Sequence, residues 1–235
     1  MARDHGLALS LPDGHAVLRL YRWERPTLSL GRNEPALGRY DRERAALRGI
    51  DIVRRPTGGR AVLHWRELTY AVVVPARAFG GARGAYRHIH ALIAAGLGSL
   101  GVPAMIAAEP DRAAPLDAGL CFAGPAGGEI IARGRKLVGS AQLRVGDTLL
   151  QHGSILVEDD QALVSALAFE AGPDPSPPAT VSDLLGRVPG DGEIERALLD
   201  AFGLCGPCAP EPADPYPLER ELEQRYRSEA WTWRR

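Results

Sequence analysis

The chain has 235 residues, 45% hydrophobic and 24% charged, with a formal net charge of −1. That length and apolar content suffice for one sizeable core. The near-neutral balance carries no basic excess of the kind that nucleic acid or an anionic membrane selects, so neither is expected as a partner.

The first eleven residues include Arg3, Asp4 and His5 and lack an apolar h-region and a small-residue cleavage site, which predicts a cytoplasmic protein. Residues 15–23 alternate as a strand does, and residues 27–30 follow Pro26 as a second short strand. Residues 41–48 read as a polar helix capped by Asp41, and residues 50–54 return to extended structure. A glycine-bearing loop, 55–60, leads into strands at 61–64 and 70–74. Residues 85–100 place Ile89, Leu92, Ile93, Leu97 and Leu100 at helical spacing. The apolar stretch 91–108 is broken by Gly96, Gly98, Gly101 and Pro103, so no membrane span is expected.

Residues 129–138 read as a hairpin about Arg133 and Gly134, and residues 143–157 as another about Gly146 and Asp147. Helices are expected at 160–169 and 193–202, with proline-rich connectors at 173–178 and 207–217, and a last helix carries Leu218, Leu222 and Tyr226. The order predicts an α+β fold of mixed or antiparallel sheets flanked by helices. The chain reads as a single catalytic domain over 1–235, with a core at about 15–204 and a C-terminal helical extension at about 209–235.

Of 28 basic residues, Lys136 is the one lysine. An ammonium is a compact charge that can lose its proton, whereas a guanidinium is broad and effectively always charged, so chemistry at Lys136 would explain the exception. Three cysteines without a secretory signal argue against a disulfide framework. Cys205 and Cys208 form CGPC, but they follow a helix rather than opening one after a strand, which speaks against a redox motif. No further ligands lie at metal-binding spacing, and no metal site is expected.

Three segments combine glycine, small residues and polar side chains: RRPTGGRAVLH at 54–64, RKLVGSAQ at 135–142 and QHGSI at 151–155. Each is read as lying at a strand edge or turn, where backbone amides can meet a ligand. None matches a phosphate loop or a dinucleotide fingerprint.

RRPTGGRAVLH followed by ELTYAVVVP, GRKLVGSAQLR and LLQHGSILV resembles, in order and spacing, the lipoate and biotin protein ligase superfamily. With Cys121 in LCF shortly before GRK, the chain looks like the octanoyltransferases of the LipM type over most of its length. The stretch FAGPAGGEIIARGRK after Cys121 departs from the bulkier residues frequent in that family. The resemblance implies an octanoyl-acyl carrier protein donor and a lipoyl-domain acceptor, such as the glycine cleavage H protein or a 2-oxoacid dehydrogenase E2, with no cofactor. It makes Cys121 the acyl-thioester cysteine and Lys136 the lysine that lowers its pKa. Substrate contacts are assigned to Arg55, Gly58, Gly59, Arg60, His64, Gly139, Ser140, Ala141, Gln142, His152, Gly153 and Ser154.

The residue chemistry agrees, because a thiol near pKa 8.5 is little ionised at neutral pH and a neighbouring ammonium favours thiolate. Backbone N–H groups of 139–141 or Gly153 are candidate oxyanion donors. His64 and His152 are read as orienting substrate, Arg54, Arg55, Arg60 and Arg66 as a surface for acidic partners, and Ala61, Val62, Leu63, Val138, Ala141 and Ile155 as an acyl tunnel or ordinary core. An ATP-dependent lipoate protein ligase, a lipoyl-domain amidotransferase, a non-catalytic scaffold and a CGPC reductase stand as alternatives.

Overall fold

The computed structural model describes residues 1–108, 122, 127–170, 176–204 and 218–235. Cys121, Cys205 and Cys208 lie outside the described residues, as do the connector at 207–217 and part of that at 173–178.

A six-stranded antiparallel sheet has the order β1-β5-β9-β8-β7-β6, formed by β1 (Val17–Tyr21), β5 (Glu67–Pro75), β6 (Met105–Ile106), β7 (Ile130–Ala132), β8 (Arg135–Val145) and β9 (Thr148–Leu156). Beside it, β2 (Thr27–Leu30) pairs in parallel with β3 (Asp51–Arg54) and antiparallel with β4 (Val62–His64). This is the expected α+β class.

β5 is rich in β-branched residues because it lies between two neighbours and buries both faces. On one face, Leu68, Tyr70, Val72 and Val74 meet Ile89, Ile93 and Leu97 of α3 (Ala82–Ser99) and Ile194 and Leu198 of α6 (Glu193–Ala201). On the other, Ala71, Val73 and Leu150 meet Leu7 and Ala8 of α1 (Ala2–Ser10). The small sheet has its own core of Leu28, Leu30 and Leu63 with Ala45 of α2 (Arg42–Leu47) and Val164 and Leu167 of α4 (Ala162–Leu167). Asp41 caps α2 as anticipated, accepting a hydrogen bond from the Arg44 N–H.

Both hairpins turn where expected, at Arg133–Gly134 and Gly146–Asp147. Sequence pattern gave no element to α1, α5 (Val181–Leu185) or β6. A second departure matters more for function. The segments at 135–142 and 151–155 are not turns but lie within β8 and β9, paired side by side with Gly139 opposite Ser154 and Ser140 opposite Gly153. Residues 151–155 are interior to the sheet, whereas β8 has β7 on its other side only as far as Val138.

The two glycines are there for space. A Cβ on Gly153 would lie 2.3 Å from the Gly139 carbonyl oxygen and 2.8 Å from both Ser140 Oγ and Tyr70 Cε1. Between Ile130 and Ile131 the register on β8 jumps from Val138 to Lys136, leaving Leu137 as an extra residue in a β-bulge. Strict alternation would put Lys136 on the face of Val138. The bulge instead sends both Leu137 and Val138 into the main core and turns Lys136 toward Gly139, whose ideal Cβ would stand 3.2 Å from Lys136 Cε.

Candidate functional site

A cavity of about 650 Å³ opens between the two sheets and the start of α3. That volume lies within the range of small-molecule sites. Arg55, Gly59, Arg60, His64, Lys136, Gly139, Ser140, Ala141, Gln142, His152, Gly153 and Ser154 all line it. The 54–64 segment and the β8–β9 hairpin that carries the other two stretches, far apart in sequence, are thus brought to one place. Gly58 acts from behind, its carbonyl accepting from the Arg55 guanidinium at 2.9 Å.

The cavity follows the edge of β8. β7 pairs with β8 only as far as Val138, and among the described residues no other strand pairs with that side of β8 beyond it. Successive strand N–H groups point alternately left and right, so past Val138 every second one is directed to this side rather than to β9.

Lys136 is 2% exposed, and its Nζ donates to Glu129 Oε1 at 2.6 Å. Its ammonium also stands 4.9 Å from the centroid of the Phe122 ring, within cation–π range. Phe122, the residue after Cys121 in the chain, is itself buried against Val62 and Leu156.

His64 is held at both nitrogens, with Nδ1 2.8 Å from Glu67 Oε1 and Nε2 2.7 Å from Ser29 Oγ. Its ring stacks on Trp23, centroids 4.5 Å apart. Trp23 Nε1 donates to Thr69 Oγ1, which in turn donates to Glu67 Oε1. Arg55 joins the same network through Ser29 and staples its own loop through the carbonyls of Gly58 and Arg60. Gly59 completes that loop at φ +93°, a conformation that side chains disfavour.

His152 reaches across to the same loop, with Nε2 2.7 Å from Thr57 Oγ1, and its Nδ1 stands 3.6 Å from Asp4 Oδ2 on α1. Asp4 also accepts from Tyr21 and pairs with Arg19. Burial raises the Asp4 pKa, but the His152 hydrogen bond, the chain's amino terminus and Arg19 outweigh it and hold the carboxyl well below its usual range. Both histidines are therefore tied to protein partners, which suits orientation of the cavity wall more than free proton exchange.

Several expectations need correction. Arg54 and Arg55 cannot form a surface for acidic partners, because both are buried and donate to backbone carbonyls. Arg66 is engaged by Asp160 and Glu158. Of the tunnel candidates, Val62 and Ala141 line the cavity, whereas Ala61 and Leu63 belong to the small core and Val138 and Ile155 to the main one. Sequence reading missed Trp23, Ser29, Glu129 and His90. Buried glutamate and histidine were the available signals, but burial is not visible in a linear pattern.

His90 is fully buried on α3, its Nδ1 2.6 Å from the Gly128 carbonyl oxygen and its Nε2 2.8 Å from Ser140 Oγ. Burial lowers its pKa to about 4, opposed by the Gly128 hydrogen bond and aided by the Lys136 charge. The unfolded histidine titrates near ~6.5, so below that pH the unfolded chain takes up a proton that the folded one refuses. Stability is therefore expected to fall as pH drops from 7.5 to 5, with His90 contributing at most about 2 kcal/mol. Urea melts at the two pH values check this; His90→Leu should flatten part of the slope, and an unchanged slope would contradict the assignment.

The catalytic-domain model of lipoyl protein ligases A and B matches residues 1–203. The octanoyltransferase LipM of Kyrpidia tusciae is 37% identical over 260 residues, covering 100% of this chain and 94% of its own. The chain belongs to the lipoyl protein ligase A/B family, in its LipM branch. Another LipM relative, from Carboxydothermus hydrogenoformans, is 42% identical over 73% of this chain and 65% of its own. Among solved structures, a Thermoplasma acidophilum protein described as a putative lipoate protein ligase with bound lipoic acid aligns at TM-score 0.80 and 24% identity, over 99% of this chain and 92% of that one. A lipoate-protein ligase A bound with ATP aligns at TM-score 0.82 and 23% identity over the same shares. These two share the lipoyl ligase fold with the LipM-branch chain.

Proposed function

We propose that this chain is an octanoyl-[acyl carrier protein]:protein N-octanoyltransferase of lipoate biosynthesis, working through a thioester on Cys121 and delivering the acyl group to a lysine of a lipoyl domain. The observation that carries the reading is the convergence of the 54–64 segment and the distant β8–β9 hairpin on one cavity whose wall holds the chain's one lysine, in a chain whose full-length relative is an octanoyltransferase.

In the first half-reaction the Cys121 thiolate attacks the carbonyl of an octanoyl thioester. The new C–S bond replaces the old one, and the carrier thiolate leaves and takes a proton. In the second, the acceptor amine attacks, a C–N bond forms, the Cys121 C–S bond breaks, and the proton lost by nitrogen ends on sulfur. Dividing one transfer into two acyl exchanges is the usual benefit of a nucleophilic cysteine.

The Lys136 ammonium is suited to stabilise thiolate, and it lies over the ring of Phe122, the residue that follows Cys121 in sequence. N–H groups on the side of β8 that β7 leaves beyond Val138 are suited to the oxyanion that forms in each half. Arg55, Gly59, His64, His152 and Ser154 form the facing wall, with Gly58 behind it holding Arg55, and Arg60 and Gln142 lie along the cavity as further substrate contacts. The same reading places the protein in the cytoplasm; among the described residues no helix is long and apolar enough to cross a membrane.

Incubation with octanoyl carrier protein and an unmodified lipoyl domain, without ATP, is expected to add one octanoyl group to the lipoyl-domain lysine, and Cys121→Ser is expected to add none. Modification that appears only with ATP and free acid, and survives Cys121→Ser, would establish ligase chemistry instead.

A further inference from the structure

The hydrogen bonds behind Ser140 have a determined direction. Gln142 Nε2 donates to Gln151 Oε1 at 2.8 Å, which fixes the Gln151 amide so that its Nε2 donates to the Tyr70 hydroxyl oxygen at 3.1 Å. The Tyr70 O–H is then directed at Ser140 Oγ, 2.6 Å away. At the other end, a carbonyl can only accept, so the His90 nitrogen facing Gly128 carries the hydrogen. In a neutral imidazole the opposite nitrogen is then bare, and it accepts the Ser140 O–H at 2.8 Å. Tyr70 is 3.4 Å from the same nitrogen, too long to compete.

Ser140 therefore spends its one proton on His90 and one lone pair on Tyr70. It lines the cavity and is only partly buried, so what it presents there is a lone pair and nothing else. A hydroxyl in that state receives N–H donors and offers nothing to a carbonyl or a carboxylate. In the acyl transfer proposed above, the donor that enters the cavity for the second half-reaction is the acceptor amine.

We infer that Ser140 is the contact that orients the acceptor lysine's amine for attack on the acyl-enzyme, and that His90 and Tyr70 are positioning residues which hold its hydroxyl as an acceptor. This rests on the lysine-acceptor reading. A Ser140 hydroxyl freed from His90 would be able to turn its proton toward the cavity, where it would oppose the amine's own hydrogens. The arrangement serves aminolysis and is indifferent to charging by the donor, in which sulfur replaces sulfur.

The two half-reactions separate the roles. The enzyme is charged with octanoyl carrier protein, freed of donor, and mixed with excess unmodified lipoyl domain, with adduct formation and decay followed by intact mass. Ser140→Ala is expected to charge at the wild-type rate and to transfer about tenfold or more slowly, the scale of one lost hydrogen bond to a reacting group. His90→Leu is expected to behave like Ser140→Ala. His90→Gln, whose side-chain oxygen can accept near the place of Nε2, is expected to restore transfer to within about threefold. Equal slowing of charging and transfer in Ser140→Ala, unaltered transfer in that variant, or His90→Gln as slow as His90→Leu would each overturn the inference. A wild-type enzyme that charges but never modifies the lipoyl domain, or never charges, would instead overturn the reading on which it stands. Ser140→Ala is the smallest change in the set and keeps the test decisive if His90→Leu unfolds.

Discussion

Lys136→Met is expected to lower acyl transfer by about a hundredfold or more, the scale of losing a charge-stabilising or proton-handling group. It is also expected to cost about 3 kcal/mol of stability. The two effects have different origins. The stability loss arises because the Glu129 carboxylate, almost as buried as the lysine, loses the ammonium at 2.6 Å. A buried pair broken from one side is strongly destabilising even where the intact pair adds little. Lys136→Met with Glu129→Gln removes both charges and is expected to recover most of the stability while leaving transfer abolished. Urea melts and single-turnover transfer on the two variants measure this, and recovery of both properties together would show that Lys136 serves only the fold.

The second large effect is expected at Gly153. Gly153→Ala would place a methyl 2.3 Å from the Gly139 carbonyl oxygen, a backbone atom in the middle of the sheet that has nowhere to swing. Overpacking of this kind costs about 2–3 kcal/mol, and here the displaced atoms include Ser140 Oγ and the β8 backbone along the cavity. Transfer is expected to fall by about tenfold at least. Gly98→Ala is the control: it lies exposed in the last part of α3 with open space at its Cβ, and is expected to be neutral or slightly stabilising. Similar losses at both positions would mean that the tight β8–β9 approach has no special role.

Much of this was legible before any coordinates. The two hairpins, the Asp41 cap, the long α3 and the strands of the small sheet all follow from local pattern, because turn residues, caps and apolar periodicity act over a few neighbours. The lone lysine singled out Lys136 by chemistry, and the glycine-bearing segments marked the cavity. What escaped the sequence is non-local. The bulge that turns Lys136 onto the cavity side arises from the count of residues in β7 against β8, and neither strand shows it alone. Asp4, near the amino terminus, reaches His152 on β9, and Glu67, His64 and Trp23 form one network only after β1, β4 and β5 assemble. Gly139 and Gly153 looked like turn residues because glycine usually marks turns. Here they are small so that two strands and Phe122 can approach closely.

The central claim is that the acyl group rests on Cys121. The direct measurement is intact mass of the purified protein after mixing with octanoyl carrier protein and no ATP, followed by peptide mapping and hydroxylamine treatment. A single octanoyl adduct that maps to Cys121, is released by hydroxylamine, is absent from Cys121→Ser and forms slowly in Lys136→Met is the result expected. An adduct elsewhere, or lipoyl-domain modification at an undiminished rate in Cys121→Ser, would contradict it.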